Sequence, residues 1–138
     1  MGEVFSAATG VPGRVFRSEL NPVDFLHRAA YIYPDKTAVV SGQQRYSYRQ
    51  LAERSWRLAN ALRSEGLGKG DRVATLLFNS APMLEAHFGV PAAGGVLVPV
   101  NFRLSSAEVG YILRHSGATS GSSSAASSRY RAPLCRRM

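Results

Sequence analysis

Gly70–Leu104, GDRVATLLFNSAPMLEAHFGVPAAGGVLVPVNFRL, carries two apolar, β-branched runs on either side of a helical pattern. The first, Arg72 to Phe78 (RVATLLF), is almost uninterrupted and of strand length, and Val96 to Val100 (VLVPV) is of the same kind. Runs without alternation are expected of strands buried on both faces of a parallel sheet. Between them Asn79 and Ser80 offer caps, Pro82 falls in the first turn, and Met83, Leu84, Ala86, His87 and Phe88 begin a helix. Pro91 is expected to kink that helix or end it near Val90. Pro99 lies near the end of its strand, where a lost ladder donor is tolerable. Strand, crossover helix and strand make a βαβ unit.

Upstream, Asn21 is a good N-cap, Pro22 sits at the first helical position, and Leu20 and Phe25 have the spacing of a hydrophobic staple. The helix shows Phe25, Leu26, Ala29 and Ala30, and Pro34 ends it. Thr37 to Ser41 is β-branched, and after the Gly42 turn Arg45 to Tyr48 alternates, so a β-hairpin is predicted. Ser47 and Gln50 form a capping box with Tyr46 and Leu51 as its staple. Apolar spacing through Leu51, Ser55, Leu58, Ala59 and Leu62 then predicts a helix of about four turns, closed by Gly66. Downstream of the βαβ unit, Ser105 and Glu108 form a second capping box with Leu104 and Val109 as its staple. Val109, Ile112 and Leu113 mark its buried face up to Gly117. The fold class is α/β: a β-hairpin, capped helices and a parallel βαβ unit.

That patterning changes at Gly117. Residues 1–19 read as an irregular leader, 20–117 as the patterned domain, and 118–138 as a Ser/Arg-rich tail expected to be disordered, with six serines in residues 120–128. The 138 residues are 45% hydrophobic and 19% charged, an ordinary globular composition. Neither a signal peptide nor a membrane span is expected, because the apolar stretches are strand-length and residues 1–20 have no continuous apolar core. The one cysteine, Cys135, excludes an internal disulfide and a cysteine-based metal cage, which fits a reducing compartment.

The net charge of +8 raises nucleic acid as a partner, and its distribution argues against it. Residues 1–119 hold 13 basic and 9 acidic side chains; the tail adds Arg129, Arg131, Arg136 and Arg137 and no acid, half of the excess. Arg49, Arg54, Arg57 and Arg63 share one helix with Glu53 and Glu65, as expected of a solvated helix face.

The segments G70-D-R-V-A-T-L-L-F-N79, A86-H-F-G-V-P-A-A-G-G-V-L-V-P-V-N-F-R-L104 and Y111-I-L-R-H-S-G117 resemble the N-terminal part of the adenylate-forming, AMP-binding ligase superfamily. P34-D-K-T-A-V-V40 and Y46-S-Y-R-Q-L51 match the same family's opening hairpin and first capped helix, in order and spacing. The resemblance covers roughly residues 20 to 117 and is closest to the acyl-CoA synthetases. It implies a fold that is an incomplete part of the family's large N-terminal region. It also implies the family's reaction: a carboxylic acid is activated by ATP, with magnesium, to an acyl-adenylate, and a thiol, commonly that of CoA, takes the acyl group. The family's phosphate loop ends in Pro-Lys-Gly, and this loop and the later adenine, ribose and lysine motifs have no counterpart in this sequence.

No residue is therefore assigned a catalytic, cofactor-binding or metal-binding role, and the chain is expected to be a truncated, inactive ligase that binds none of the family's ATP, Mg or CoA. Self-association through an exposed sheet edge and a cytoplasmic location are expected, with a peroxisomal one open to the full-length family. The alternatives are a stand-alone α/β protein-interaction module and a basic nucleic-acid-binding protein. Several motifs are read as coincidental. Thr119 to Ser124 imitates the start of a phosphate loop without its Pro-Lys-Gly. Gly66, Gly68 and Gly70 around Lys69 read as a helix-to-strand turn, and His27, His87 and His115 on separate helices as structural or surface residues. Met1-Gly2 with Ser6, and Cys135 four from the end, only imitate lipidation signals.

Overall fold

The computed structural model describes residues 20–118; the leader and nearly all of the tail lie outside them. The element order is α1 (Pro22–Ile32), β1 (Thr37–Ser41), β2 (Gln44–Ser47), α2 (Tyr48–Ser64), β3 (Arg72–Thr75), α3 (Ala81–Ala93), β4 (Val96–Pro99) and α4 (Ser106–Ser116). β1 and β2 form an antiparallel hairpin, with Thr37 opposite Ser47 and Ser41 opposite Gln44. β3 and β4 pair in parallel, from Arg72 opposite Val96 to Thr75 opposite Pro99, with α3 as the crossover between them.

The caps at Asn21, Ser47 and Ser105 form as expected, whereas Ser80 at the start of α3 makes no side-chain capping bond. Asn21 accepts a hydrogen bond from Val23 N–H at 3.0 Å. Both boxes close reciprocally, Ser47 with Gln50 and Ser105 with Glu108. Each pairs otherwise orphaned N–H groups of a first helical turn, worth about 1 kcal/mol.

The core is built around the α2–α3 contact. α2 buries Leu51, Ala52, Ser55, Ala59 and Leu62 along one stripe, and α3 buries Ala81, Ala86, Gly89, Val90 and Ala93. One apolar cluster joins Ala59, Leu62, Val73, Val90 and Ala93, so it ties both helices to β3. A second joins Leu26 of α1 to Leu51 and Ala52, with Ala38 and Val39 of the hairpin packed against it. A leucine buried to this degree contributes about 1.5–3 kcal/mol. The helices approach closely because Gly89 has no side chain: a Cβ there would lie 2.8 Å from Leu58 Cδ2 and 2.9 Å from the Ser55 carbonyl oxygen. Ser55 is wholly buried at this crossing and its hydroxyl makes no hydrogen bond. Two of the four α2 arginines also bind α3, which corrects the expectation of a purely solvated face. The Arg54 guanidinium donates to both Glu85 carboxylate oxygens, at 2.5 and 3.4 Å, and Arg63 donates to the Ala92 carbonyl. Arg49 and Arg57 remain in exposed pairs with Asp35 and Glu53.

Other expectations are corrected. β3 ends at Thr75, and Leu76 and Phe78 are exposed rather than part of a buried strand. Within β3 and β4 only Val73 is buried, so the sheet is not covered on both faces by the described residues. The helix does not stop near Val90: Pro91 lies inside α3, which runs to Ala93. A proline this close to the end loses one helical hydrogen bond, and Gly94, left-handed at φ +95°, closes the helix by donating to the Pro91 and Val90 carbonyls. The Leu20–Phe25 staple is not buried, since both side chains are exposed; Val23 and Leu26 anchor α1 instead. Tyr46 lies under the Arg54 guanidinium, 4.9 Å from ring centroid to carbon, and Tyr48 rather than Tyr46 packs beside Leu51. α4 buries no residue: Val109, Ile112 and Leu113 are only half-covered.

Candidate functional site

In open parallel sheets ligands bind outside the carboxyl ends of the strands, because loops and helix N-termini converge there. In this chain that end is formed by the segments after Thr75 and after Pro99 and by the start of α3. It encloses an open concavity of about 440 Å³, lined among others by Asn79, Met83, Asn101, Phe102 and Arg103. Phe102 also packs against Phe78, with ring centroids 4.0 Å apart, and the Arg103 guanidinium stands 5.5 Å from the Phe102 ring. The turn is fixed locally, since Asn101 Oδ1 accepts from Arg103 N–H at 3.0 Å. Ser80, at the N-cap of α3, makes no capping bond and donates to the Phe78 carbonyl at 3.0 Å.

This arrangement offers an aromatic surface, one guanidinium and two amides. It can hold a planar or apolar group next to an anion. Sequence reasoning assigned Phe78 to a strand and Phe102 no role. The available signal was their common place just beyond the two strand runs of a βαβ unit.

The residues weighed from sequence are not brought together here. His27, His87 and His115 lie on α1, α3 and α4; His87 Nδ1 is 2.8 Å from the Met83 carbonyl, and His115 stacks on Tyr111. Lys69 lies in the α2–β3 turn, where Gly68 N–H donates to Asp71 Oδ2 and Gly70 N–H to the Gly94 carbonyl. Among the described residues no three His, Cys, Asp or Glu side chains cluster as metal ligands, and no helix is long and apolar enough to cross a membrane. Thr119 to Ser124, the Met1-Gly2 start and Cys135 lie outside the described residues. Two perturbed groups lie away from the concavity. Arg54 is raised by its hydrogen bonds to Glu85, and Glu108 is held below the usual carboxylate range by the Ser105 hydroxyl and N–H.

A hairpin, capped helices and a parallel βαβ unit in this order are the elements that the resemblance to adenylate-forming enzymes implies. The chain belongs to the AMP-binding enzyme family, whose profile matches residues 26–121. It is 46% identical over 99 residues to 4-hydroxybutyrate–CoA ligase 2 of Metallosphaera sedula, which covers 72% of this chain and 18% of the relative. It is 44% identical over 97 residues to the peroxisomal acetate/butyrate–CoA ligase AAE7 of Arabidopsis thaliana, covering 70% and 17%. Among solved structures, the N-terminal subdomain of Klebsiella oxytoca NpsA, in complex with anthranilyl-AMSN, superposes with a TM-score of 0.67 at 31% identity. That alignment covers 70% of this chain and 25% of the subdomain chain. The chain thus spans less than a fifth of the length of these two curated relatives.

Proposed function

We propose that residues 20–117 are the N-terminal building block of an acid–CoA ligase and that the chain by itself catalyses neither half of the ligase reaction. In the complete reaction a carboxylate oxygen attacks the α-phosphorus of ATP, the bond to pyrophosphate breaks, and a thiol then displaces AMP from the acyl-adenylate. The developing charge on the departing phosphates demands converging backbone N–H groups and cations. The observation that carries the reading is the family match over 26–121 to relatives more than five times as long as the matched segment. In this reading the described residues serve as scaffolding: the concavity is lined by the Arg103 guanidinium, the Asn79 and Asn101 amides and apolar groups. A cytoplasmic or peroxisomal place is in keeping with the single cysteine and with the peroxisomal relative.

The test is a covalent chimera in which residues 20–117 replace the matched segment of the Metallosphaera sedula ligase. It should retain ATP–pyrophosphate exchange dependent on 4-hydroxybutyrate, whereas the 138-residue chain alone shows none. Exchange by the chain alone contradicts the inactivity, and a folded but inactive chimera contradicts the ligase assignment.

A further inference from the structure

α4 makes no extensive contact with any other element among the described residues. Ala107, Glu108, Tyr111, Arg114 and His115 are exposed on it, at the three- and four-residue spacing of one helical stripe. Tyr111, 62% exposed, is the midpoint of the helix from Ser106 to Ser116. The stripe has unlike halves on either side of that residue. Toward the N-terminus Leu104, Ala107, Tyr111 and Ile112 line a shallow apolar hollow, with Glu108 at its rim. Toward the C-terminus the His115 ring stacks on Tyr111, with centroids 5.6 Å apart and planes at 25°, so the two rings form a ridge.

Charge divides in the same way. Glu108 stands three residues before Tyr111 and Arg114 three residues after it. The Ser105 N–H and hydroxyl both donate to Glu108 Oε2, at 2.8 and 2.7 Å, which leaves Oε1 open to a further donor. Arg114 makes no ion pair among the described residues.

We infer that this face is a two-fold contact between two copies of the chain, with α4 antiparallel to α4 of the second copy and the axis passing at Tyr111. A two-fold contact requires one patch to complement itself, each feature on one side of the axis matching its counterpart on the other. The α4 stripe has that form in shape and, independently, in charge. Residues equally far before and after Tyr111 meet across such an axis. The Tyr111–His115 ridge of one copy then lies over the hollow of the other, and Glu108 of each lies beside Arg114 of the other. Antiparallel packing also sets the two helix dipoles head to tail. A parallel pairing would instead set Glu108 on Glu108, Arg114 on Arg114 and hollow on hollow. The contact is confined to a helix about 16 Å long. It therefore falls in the small, transient class, with a Kd of about 10–100 µM.

Sedimentation equilibrium of the 138-residue chain, from about 1 µM to about 1 mM, tests this and should show a monomer–dimer equilibrium. Tyr111→Lys removes the central ring and should weaken association at least about ten-fold. Arg114→Glu sets carboxylate against carboxylate and should also weaken it about ten-fold, whereas Arg57→Glu, the same charge change on α2, should leave it unchanged. Glu108→Lys alone should weaken it too, yet an equimolar mixture of Glu108→Lys and Arg114→Glu chains should associate about as tightly as the wild type, because each copy again meets opposite charge. The Ser105 hydroxyl still caps α4 in Glu108→Lys; if that helix unwinds nonetheless, Tyr111→Lys and Arg114→Glu, which keep the capping box, decide the matter. A monomer across the whole range overturns the inference, whether another segment of the chain covers α4 or nothing does. A dimer indifferent to Tyr111→Lys and Arg114→Glu, as pairing through the sheet edge would be, also overturns it. So does a mixture of the two charge variants that, with α4 helical in both, associates no more tightly than its components.

Discussion

The α2–α3 crossing and the β3–β4–α4 layer are built from equally well-patterned sequence, and they differ in how much of their apolar surface finds a partner. At the crossing Val90 and Ala59 are each 1% exposed, and a glycine is needed to let two backbones meet. In the layer α4 buries nothing, Val96 is half-exposed, and the last turn of α4 is held to the sheet by the Arg72 guanidinium. Capping and periodicity specify a helix whether or not its face is covered; stability comes from what covers it.

The largest separation should come from truncating a side chain in each region. Leu51→Ala should cost about 2–5 kcal/mol in urea unfolding, while Leu113→Ala on α4 should cost less than about 1 kcal/mol. Comparable losses at the two sites would erase the distinction. Gly89→Val should follow, at about 1–3 kcal/mol, because its new atoms meet the Ser55 backbone, which cannot step aside as a side chain would. Removing the two caps sharpens the contrast. Ser47→Ala should lower global stability by about 1 kcal/mol, whereas Ser105→Ala should reduce helix signal from α4 with little change in the unfolding midpoint.

The smallest effect is one of pH. The Glu108 carboxylate is the form that accepts the Ser105 bonds, so its folded-state pKa lies below the unfolded value. Its contribution to α4 is complete above the ordinary carboxylate range, near about 4.3, and disappears as pH falls through the lowered value. Helix content of α4 should fall on acidification in the wild type and be insensitive in Glu108→Gln, as followed by NMR of its amides.

The local features of this fold were legible in the sequence because their causes are local. Asn21, Ser47 with Gln50, and Ser105 with Glu108 satisfy N–H groups within three residues, and each cap formed as read. The misreadings came from non-local causes. Leu76 and Phe78 continue an apolar run, yet no third strand pairs with them among the described residues, and β3 ends at Thr75. Pro91 was weighed by its missing N–H, without the Gly94 turn that closes the helix only three residues later. Arg54 and Arg63 looked like surface charge until α3 brought Glu85 and the Ala92 carbonyl to them. The concavity was invisible for the same reason, since Phe78 and Phe102 are 24 positions apart and meet only through the parallel register. That Thr119 to Ser124 is not followed by Pro-Lys-Gly could, in contrast, be read from the sequence alone, because such a motif is contiguous.

Amide hydrogen exchange along the 138-residue chain tests the central claim, that a closely packed half is joined to a sparsely packed one. Amides in α2 and α3 should exchange only through global unfolding, and those of α4 should exchange orders of magnitude faster. Uniform protection across α2, α3 and α4 in the chain alone would contradict the account.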